Sequence, residues 1–283
     1  MNDPLTQGLV GILAEPEAAG LILAGGFGLS LKRRHLLETR ARTLCPDLPE
    51  ARATMDLDLF LRLELFGAGD GGRGIIYMLR RLGYLEVTPR WQFRHSASEV
   101  VIDLLSREPG PGSGVPVRGI RVGGGAGVGV HGRLVREAFA VEERPVIVPL
   151  AGADAAARCV AVPHPYPWLC MKVRASTDWL RGRTSHGVRP PPLRAASPKH
   201  AFDACLIVAM VTEAEVAGAW LLAEQYAANP MAAEIADEAR VLFGRDDAPG
   251  WLEAQRQAHR VFNHALMWPV MAGMLGMRRL NAG

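Results

Sequence analysis

The sequence predicts a mixed α/β (α+β) domain followed by a helical domain, and three observations support this. Short apolar runs typical of strands alternate with segments of helical spacing up to about residue 162. From Leu169 to the end, helical spacing dominates. The chain has 283 residues, which exceeds the usual size of one domain. We therefore expect an α/β domain over residues 1–162, with a mixed sheet and flanking helices, and a helical domain over residues 163–283.

The first elements are a helix and then a strand–turn–helix. Helical spacing runs over residues 2–19, with Pro4 at the first helical position. "LILAGGFGLSL" follows as an apolar strand, a turn at Gly25 and Gly26, and a helix to about Leu37. Free N–H groups at such a helix N-terminus attract phosphate, although a turn of this kind can also merely reverse the chain.

Two acids stand in the next strand, "ARATMDLDLF". Residues i and i+2 of a strand point to the same face, so Asp56 and Asp58 lie side by side. The opposite face is apolar and is expected in the core, namely Met55, Leu57, Leu59 and Leu61. Two carboxylates about 7 Å apart can converge on one cation, and hard oxygen ligands suit Mg²⁺ bridged to phosphates. The alternative is an edge strand whose aspartates face water.

A third carboxylate comes from "SEVVIDLLS", which places Asp103 opposite an apolar face of Val100, Ile102 and Leu104. On a neighbouring strand, Asp103 could complete the metal site or act as the general base for an attacking hydroxyl. The alternative is a solvated strand residue. Together with the glycine turn, the acidic strands describe a nucleotide site.

The remaining α/β elements are a helix near "GGRGIIYMLRRLG" and strands in "YLEVTPRWQFRH" and "PVIVPL". "HPYPWL", which starts at His164, is expected to stiffen the domain junction. The helices beyond it are interrupted by the loop "SHGVRPPPLRAASP".

These motifs resemble the AbiEii/AbiGii toxin-like nucleotidyltransferases, which include the MenT-like toxins. The family pattern is a hydrophobic strand, Gly-Gly or Gly-Ser, a helix, and then Arg-x-Ser/Thr-x-Asp-x-Asp. Its last four positions are matched by Arg52, Thr54, Asp56 and Asp58. "LCMKVRASTDWLRGR" and "PKHAFDACLIV" are similar to the family's lysine-bearing helix and its Lys-x-x-x-Asp. The resemblance covers roughly residues 21–61, 100–105 and 169–208, less than half of the chain.

The resemblance implies a nucleotidyltransferase-like fold and a set of site roles. Lys172 would neutralise charge on departing pyrophosphate, and Asp203 would orient Lys172 or contact the nucleotide. The other nucleotide-binding residues it implies are Gly25, Gly26, Arg52, Thr54 and Lys199. Only three of the chain's 32 basic residues are lysines, and two of them, Lys172 and Lys199, occupy family positions. A purely local alternative for Asp203 is a capping residue in the first turn of a helix.

The implied reaction transfers a nucleoside monophosphate from an NTP to an acceptor hydroxyl, with Mg²⁺ as cofactor and release of pyrophosphate. The resemblance further implies the 3′ acceptor end of tRNA as the acceptor, and the role of a toxin restrained by a cognate antitoxin protein. The formal charge of +3 and the pI near 8.8 permit an RNA partner without requiring one.

Two other functions fit parts of the sequence. A binding protein of the same fold would hold a nucleotide or a partner without turnover. "GVGVHG", Gly127 to Gly132, matches a dinucleotide-binding turn with Asp154 downstream, as in an oxidoreductase, but it lies within a glycine-rich segment at 110–132 where chance matches are easy. A flexible loop is the other interpretation of that segment.

Composition narrows the class of protein. Hydrophobic residues make up 49% of the chain and charged residues 22%, which is typical of folded soluble proteins and excludes general disorder. The four cysteines form no CxxC pair, and no leader-like segment opens the sequence, so we expect a cytoplasmic protein. The longest C-terminal apolar run contains Asn263, His264 and Pro269 and is shorter than a bilayer span, so no membrane partner is expected.

Overall fold

The computed structural model describes residues 3–67, 71–88, 91–110, 121–122, 130–150, 158–181, 199–259 and 262–277. The chain divides into two compact units, each of which is built from two stretches of sequence. The first unit is Met1–His35 with Ala53–Pro163, and the second is Leu36–Arg52 with His164–Gly283. The division after Pro163 lies one residue from the boundary predicted at 162. Residues 36–52, predicted to lie in the first domain, belong to the second unit.

A mixed sheet forms the centre of the first unit. In chain order its strands are β1 (Ile22–Leu23), β2 (Asp56–Phe60), β3 (Tyr84–Thr88), β4 (Gln92–His95) and β5 (Val101–Arg107), and then β8 (Arg133–Val135), β9 (Val146–Pro149) and β10 (Cys159–Val162). The order across the sheet is β3-β4-β5-β2-β1-β10-β9, and β8 also pairs with β5. The pairs β2–β5, β5–β8 and β1–β10 are parallel, and the others are antiparallel. Two short strands, β6 (Arg121–Val122) and β7 (Val130–His131), pair separately. The mixed α/β class predicted from the sequence is thereby confirmed.

Helices accompany the sheet: α1 (Pro4–Leu13), α2 (Gly25–Glu38), α3 (Glu64–Gly67) and α4 (Gly71–Arg81). The Asp3 side chain caps α1 by accepting hydrogen bonds from the backbone N–H groups of Leu5 and Thr6. This helix ends earlier than the predicted residue 19, and Pro16 begins a short 3₁₀ turn instead. Proline lacks the N–H that a continuing helix would need, so the boundary has a local cause.

The alternation predicted for the two acidic strands is largely confirmed. Leu57 and Leu59 of β2 and Ile102 and Leu104 of β5 are buried, with at most 1% of their surface exposed. Met55, expected in the same core, is 57% exposed because it precedes the first residue of β2. The sheet therefore buries its leucine face and presents the aspartates on the other.

The second unit is helical over its described residues beyond 163. Its helices are α5 (Pro165–Leu180), α6 (Lys199–Ala209), α7 (Glu213–Gln225), α8 (Pro230–Phe243), α9 (Pro249–Ala258) and α10 (His264–Met274). Phe243, Trp251 and Phe262 pack edge-to-face or tilted in its core. "HPYPWL" was expected to be a stiff junction, but α5 already begins at Pro165. His164 caps it, since its Nδ1 accepts from the Tyr166 N–H. Proline is compatible with the first turn of a helix, so this stretch gives no reliable signal for a loop.

Within the described ranges, no single helix is long and apolar enough to cross a membrane. One pair of helices, α6 and α7, meets the criteria of length and composition only when taken together, and it is bent by 114°.

Candidate functional site

The parallel pairing of β2 with β5 brings the three predicted carboxylates onto one face of the sheet. Asp58 is the direct register partner of Asp103, and Asp56 is the partner of Val101. All three aspartates are partly exposed, whereas the residues between them are buried. Because register partners and residues two apart share a face, the three carboxylates form one acidic patch in the first unit. We call Asp56, Asp58 and Asp103 the carboxylate face.

The electrostatics show that these groups act on one another. Burial raises the pKa of Asp103 above its usual value, and the negative charges of Asp58 and Asp56 raise it further. A hydrogen bond from Gln92 and the positive charge of Arg133 act in the opposite direction. A cation at the carboxylate face would relieve the repulsion, so the face is suited to a positively charged ligand.

Gly25 fits directly against this face at the N-terminus of α2. Its φ of +63° lies in the left-handed region, and a Cβ on it would lie 1.8 Å from Oδ2 of Asp58. The backbone N–H of Ala24 donates to the backbone carbonyl of Asp58 over 2.8 Å. Gly26, the next residue, is buried in the first turn of the helix. The structure thus brings the predicted glycine turn and the predicted carboxylates together within one unit.

Thr54 contributes to this site by orienting the strand. Its Oγ1 accepts a hydrogen bond from the backbone N–H of Asp56 over 3.3 Å. A side-chain oxygen bonded two residues along the backbone is a common turn device, and here it directs the chain into β2. Thr54 was predicted to bind nucleotide, and the contact that the structure gives it is with Asp56.

Sequence reasoning missed the side chains that surround Asp103. Gln92 donates from Nε2 to Oδ1 of Asp103 over 2.9 Å, and Thr88 donates from Oγ1 to Oε1 of Gln92 over 3.0 Å. The guanidinium carbon of Arg133 lies 5.7 Å from the centroid of the Trp91 ring. These neighbours are set by the pairing of β4 and β8 with β5, for which the sequence carries no local signal.

In the second unit, Lys172 of α5 and Asp203 of α6 form a buried ion pair. Nζ of Lys172 lies 2.7 Å from Oδ2 of Asp203. Asp203 has 0% of its surface exposed and Lys172 has 7%. Burial alone would raise the pKa of Asp203, but the positive charges of Lys172 and Arg52 hold it below its usual value. Asp203 therefore stays ionised, and the capping alternative does not describe its contacts.

Arg52 shares the same carboxylate. Its Nε lies 3.2 Å from Oδ1 and 3.4 Å from Oδ2 of Asp203. The stretch that ends at Arg52 is tied to the second unit by backbone hydrogen bonds from Leu44 to Val211 and from Cys45 to Ala209. Arg52 was predicted to bind nucleotide, but the partner that the structure shows for it is Asp203. The cluster of Lys172, Arg52 and Asp203 carries two positive charges and one negative charge.

Two residues at the start of α6 adjoin this cluster. Lys199, the first residue of the helix, is partly exposed. Burial, aided by the positive charge of Lys172, lowers the pKa of His200 to about 3. His200 is therefore neutral at physiological pH. Its Nδ1 is buried without a hydrogen-bond partner among the described residues.

The residues of the carboxylate face fit Mg²⁺ better than zinc. Among the described side chains, no group of three or more His, Cys, Asp or Glu is placed to hold a metal ion. Mg²⁺ is usually held by one or two carboxylates, with water and substrate phosphates as its other ligands. Asp56 and Asp58 supply two carboxylates on one face beside a helix N-terminus, which is the donor set such a site uses.

The predicted dinucleotide turn falls largely outside the described residues, as do Gly127 to Gly129 and Asp154. After Gly132 the chain continues as β8 and then a short 3₁₀ turn at Arg136–Ala138. A dinucleotide-binding turn leads directly into a helix whose N-terminus meets the pyrophosphate. The described part of this segment does not fit that motif.

Comparisons with protein-family models, with curated proteins and with solved structures found no match to this chain.

Proposed function

We propose that this protein is an Mg²⁺-dependent nucleotidyltransferase with a nucleotidyltransferase-like fold. It moves a nucleoside monophosphate from an NTP to an acceptor hydroxyl and releases pyrophosphate. The observation that carries the proposal is the carboxylate face, in which Asp56, Asp58 and Asp103 adjoin the glycine turn at the N-terminus of α2.

The chemistry of phosphoryl transfer requires positioning and charge neutralisation more than covalent help from the protein. Asp56 and Asp58 would hold the metal ion. When bound, Mg²⁺ supplies positive charge to the triphosphate oxygens. The backbone N–H groups of Gly25 and Gly26, at the positive end of the α2 dipole, are suited to bind phosphate oxygens.

Asp103 is the residue we propose as general base. The acceptor oxygen attacks the α-phosphorus, the bond from that phosphorus to the bridging oxygen breaks, and pyrophosphate leaves. The hydroxyl proton passes to Asp103. Its raised pKa suits this role, because a base accepts a proton more readily when its pKa lies closer to the working pH. Gln92 occupies Oδ1 of this carboxylate, so Oδ2 is the oxygen we assign to the proton.

The motif resemblance gives Lys172 its proposed role, which is to neutralise charge on departing pyrophosphate. Developing negative charge on departing pyrophosphate is stabilised by a fixed cation in a dry environment. Asp203 holds the Lys172 ammonium at 2.7 Å and keeps it oriented, while Arg52 adds a second cation to the same carboxylate. Lys199 and Arg52 remain our candidates for nucleotide contacts.

The acceptor and the biological role rest on the motif resemblance. We propose the 3′ end of tRNA, or another RNA, as the acceptor, and the role of the toxin of a toxin–antitoxin pair. The proposed reaction belongs in the cytoplasm, where NTPs and tRNA are both found.

The test is a labelling experiment. Wild-type protein and the isosteric variant Asp58→Asn are incubated with each labelled NTP, Mg²⁺ and total RNA. Asp237→Asn, which changes an exposed aspartate of α8 that is paired with Arg240, is the matched control. We expect label in RNA with wild type and the control, and at least a 100-fold slower reaction with Asp58→Asn, as for loss of a group that stabilises transition-state charge.

Equal labelling by wild type and Asp58→Asn would refute the assigned site. Binding of NTP with Mg²⁺ but no label in any acceptor would instead favour the non-catalytic binding protein of the same fold.

A further inference from the structure

A cation–π pair stands next to the carboxylate face. Arg133 is the first residue of β8 and Trp91 directly precedes β4, and these two strands both pair with β5. The guanidinium carbon lies 5.7 Å from the centroid of the indole ring, within the range of a cation–π contact. Arg133 is exposed and Trp91 is partly exposed. A planar cation therefore covers an aromatic ring at the surface.

The backbone fixes both members of the pair relative to Asp103. Arg133 is the register partner of Leu105, two residues beyond Asp103 on β5, and so lies on the same face as that aspartate. The carbonyl of Trp91 accepts a hydrogen bond from the N–H of Leu104 over 2.7 Å. The positive charge of Arg133 lowers the pKa of Asp103, whereas the charges of the other two aspartates raise it. The pair is thus part of the same surface as the proposed catalytic carboxylates.

The exposed planar groups of Trp91 and Arg133 are of the kind on which nucleic-acid bases stack. Nucleobases stack on aromatic rings and on arginine guanidinium planes, and such stacking tolerates any base because every base has a π-face. Arg133 also offers hydrogen-bond donors to a phosphate, which a solvated lysine offers less specifically. The neighbouring carboxylates would hold a metal ion and a triphosphate. A base that stacks beside them would belong to a nucleotide bound at the same surface.

We propose that Trp91 and Arg133 form a nucleobase-stacking site at the edge of the carboxylate face. The ligand is a nucleobase with an attached phosphate, and it comes from one of two sources: the NTP itself or the terminal nucleotide of an RNA acceptor. This inference rests on the proposed function and deepens it by naming the residues that hold the base.

Binding is measured with the full-length protein in two arms. One arm titrates each NTP with Mg²⁺, and the other titrates a fluorescently labelled single-stranded RNA. The variants are Arg133→Ala, Arg133→Lys and Trp91→Leu, with Trp91→Phe as the reference for a fluorescence measurement. Arg81→Ala, which removes an exposed arginine of α4 that pairs with Glu15, is the control of equal charge. Circular dichroism and thermal melting of each variant show that it is folded.

The expected result is a loss of affinity of at least about tenfold for Arg133→Ala and Trp91→Leu in one arm, consistent with about 1–3 kcal/mol for a stacked base. The arm affected identifies the source of the base. Arg133→Lys keeps the charge without the stacking plane, and we expect it to recover less than half of the lost binding free energy. Arg81→Ala binds as wild type does. Trp91 fluorescence, taken as the difference between wild type and Trp91→Phe, is quenched by the ligand in that arm.

Several outcomes would overturn the inference. If the wild type binds NTP or RNA and the Arg133 and Trp91 variants bind equally well, the pair is only a surface contact, and the proposed function is untouched. If Arg133→Lys binds as wild type does, charge rather than stacking is responsible, and the inference is wrong. If the wild type binds neither ligand, the inference and the proposed function both fail.

One outcome separates the two proposals. Weakened RNA binding in the variants without nucleotide transfer by any protein would support the stacking site and contradict the proposed function.

Discussion

Replacement of Gly25 by alanine tests the geometry of the carboxylate face directly. The φ of +63° at this position is one that L-residues adopt at a cost of about 1–2 kcal/mol. The added Cβ would lie 1.8 Å from Oδ2 and 2.7 Å from Cγ of Asp58, so the carboxylate must turn away from its present position. Leaving a preferred rotamer costs about 0.5–1.5 kcal/mol more. We expect Gly25→Ala to lower the free energy of unfolding by about 1.5–3.5 kcal/mol.

The assay is urea unfolding together with titration of NTP and Mg²⁺. Gly11→Ala is the matched control, because a Cβ on Gly11 of α1 meets nothing within 4 Å. Because Gly11 lies within a helix, Gly11→Ala should raise the free energy of unfolding by about 0.5–1 kcal/mol. The double variant Gly25→Ala/Asp58→Ala should recover most of the steric cost, since it removes the carboxylate, although the Cβ of residue 58 still lies 3.0 Å from the added Cβ. A double-mutant cycle measures the part recovered. The reasoning fails if Gly25→Ala is as stable as wild type, or if it binds NTP with Mg²⁺ unchanged.

Three further predictions concern single polar groups. Asp103→Asn should be more stable than wild type at pH 7 without divalent cations: the folded protein holds the pKa of Asp103 above its unfolded value, so ionisation costs stability as pH rises from about 4. Denaturation at several pH values measures this, and an advantage that persists unchanged below about pH 4 would contradict it. Asp203→Asn should cost about 3–5 kcal/mol at neutral pH, since Lys172 loses its buried partner. The folded pKa of Asp203 is lowered, so the wild-type advantage is complete above about pH 4 and is lost as pH falls through the folded value; a gap independent of pH down to 2 would count against the pair. Gln92→Leu removes the hydrogen bond that lowers the pKa of Asp103, and the acidic limb of the pH–rate profile should move to higher pH. Arg94→Leu on the same strand is its control, and an unmoved limb would exclude Asp103 as the base.

The sequence predicts the carboxylate face because a strand has a period of two. Leucines at alternate positions identify the buried side of β2 and β5, and Asp56, Asp58 and Asp103 must then lie opposite. What it cannot predict is which strand lies beside which. Nothing local indicates that Gln92 faces Asp103, because this contact depends on antiparallel pairing between β4 and β5.

The same limit applies to the stretch 36–52. Its prolines indicate a loop, but its place in the second unit depends on hydrogen bonds from Leu44 and Cys45 to residues more than 160 positions away. For Lys172 and Asp203, only the motif resemblance suggested a shared role. Helical spacing alone does not reveal that two buried charges on different helices meet.

The discontinuity of the second unit has a consequence for the order in which the protein is made. On a ribosome, residues 36–52 are synthesised before the roughly 110 residues that complete the first unit and separate them from His164. At about 5–20 residues per second, about 5–20 s pass between the synthesis of Arg52 and the start of α5. During that interval the remaining strands of the first unit are synthesised, and the second unit is represented only by residues 36–52. Translation therefore produces the three carboxylates before the buried lysine, and residues 36–52 can join the rest of the second unit only after the whole first unit has been synthesised.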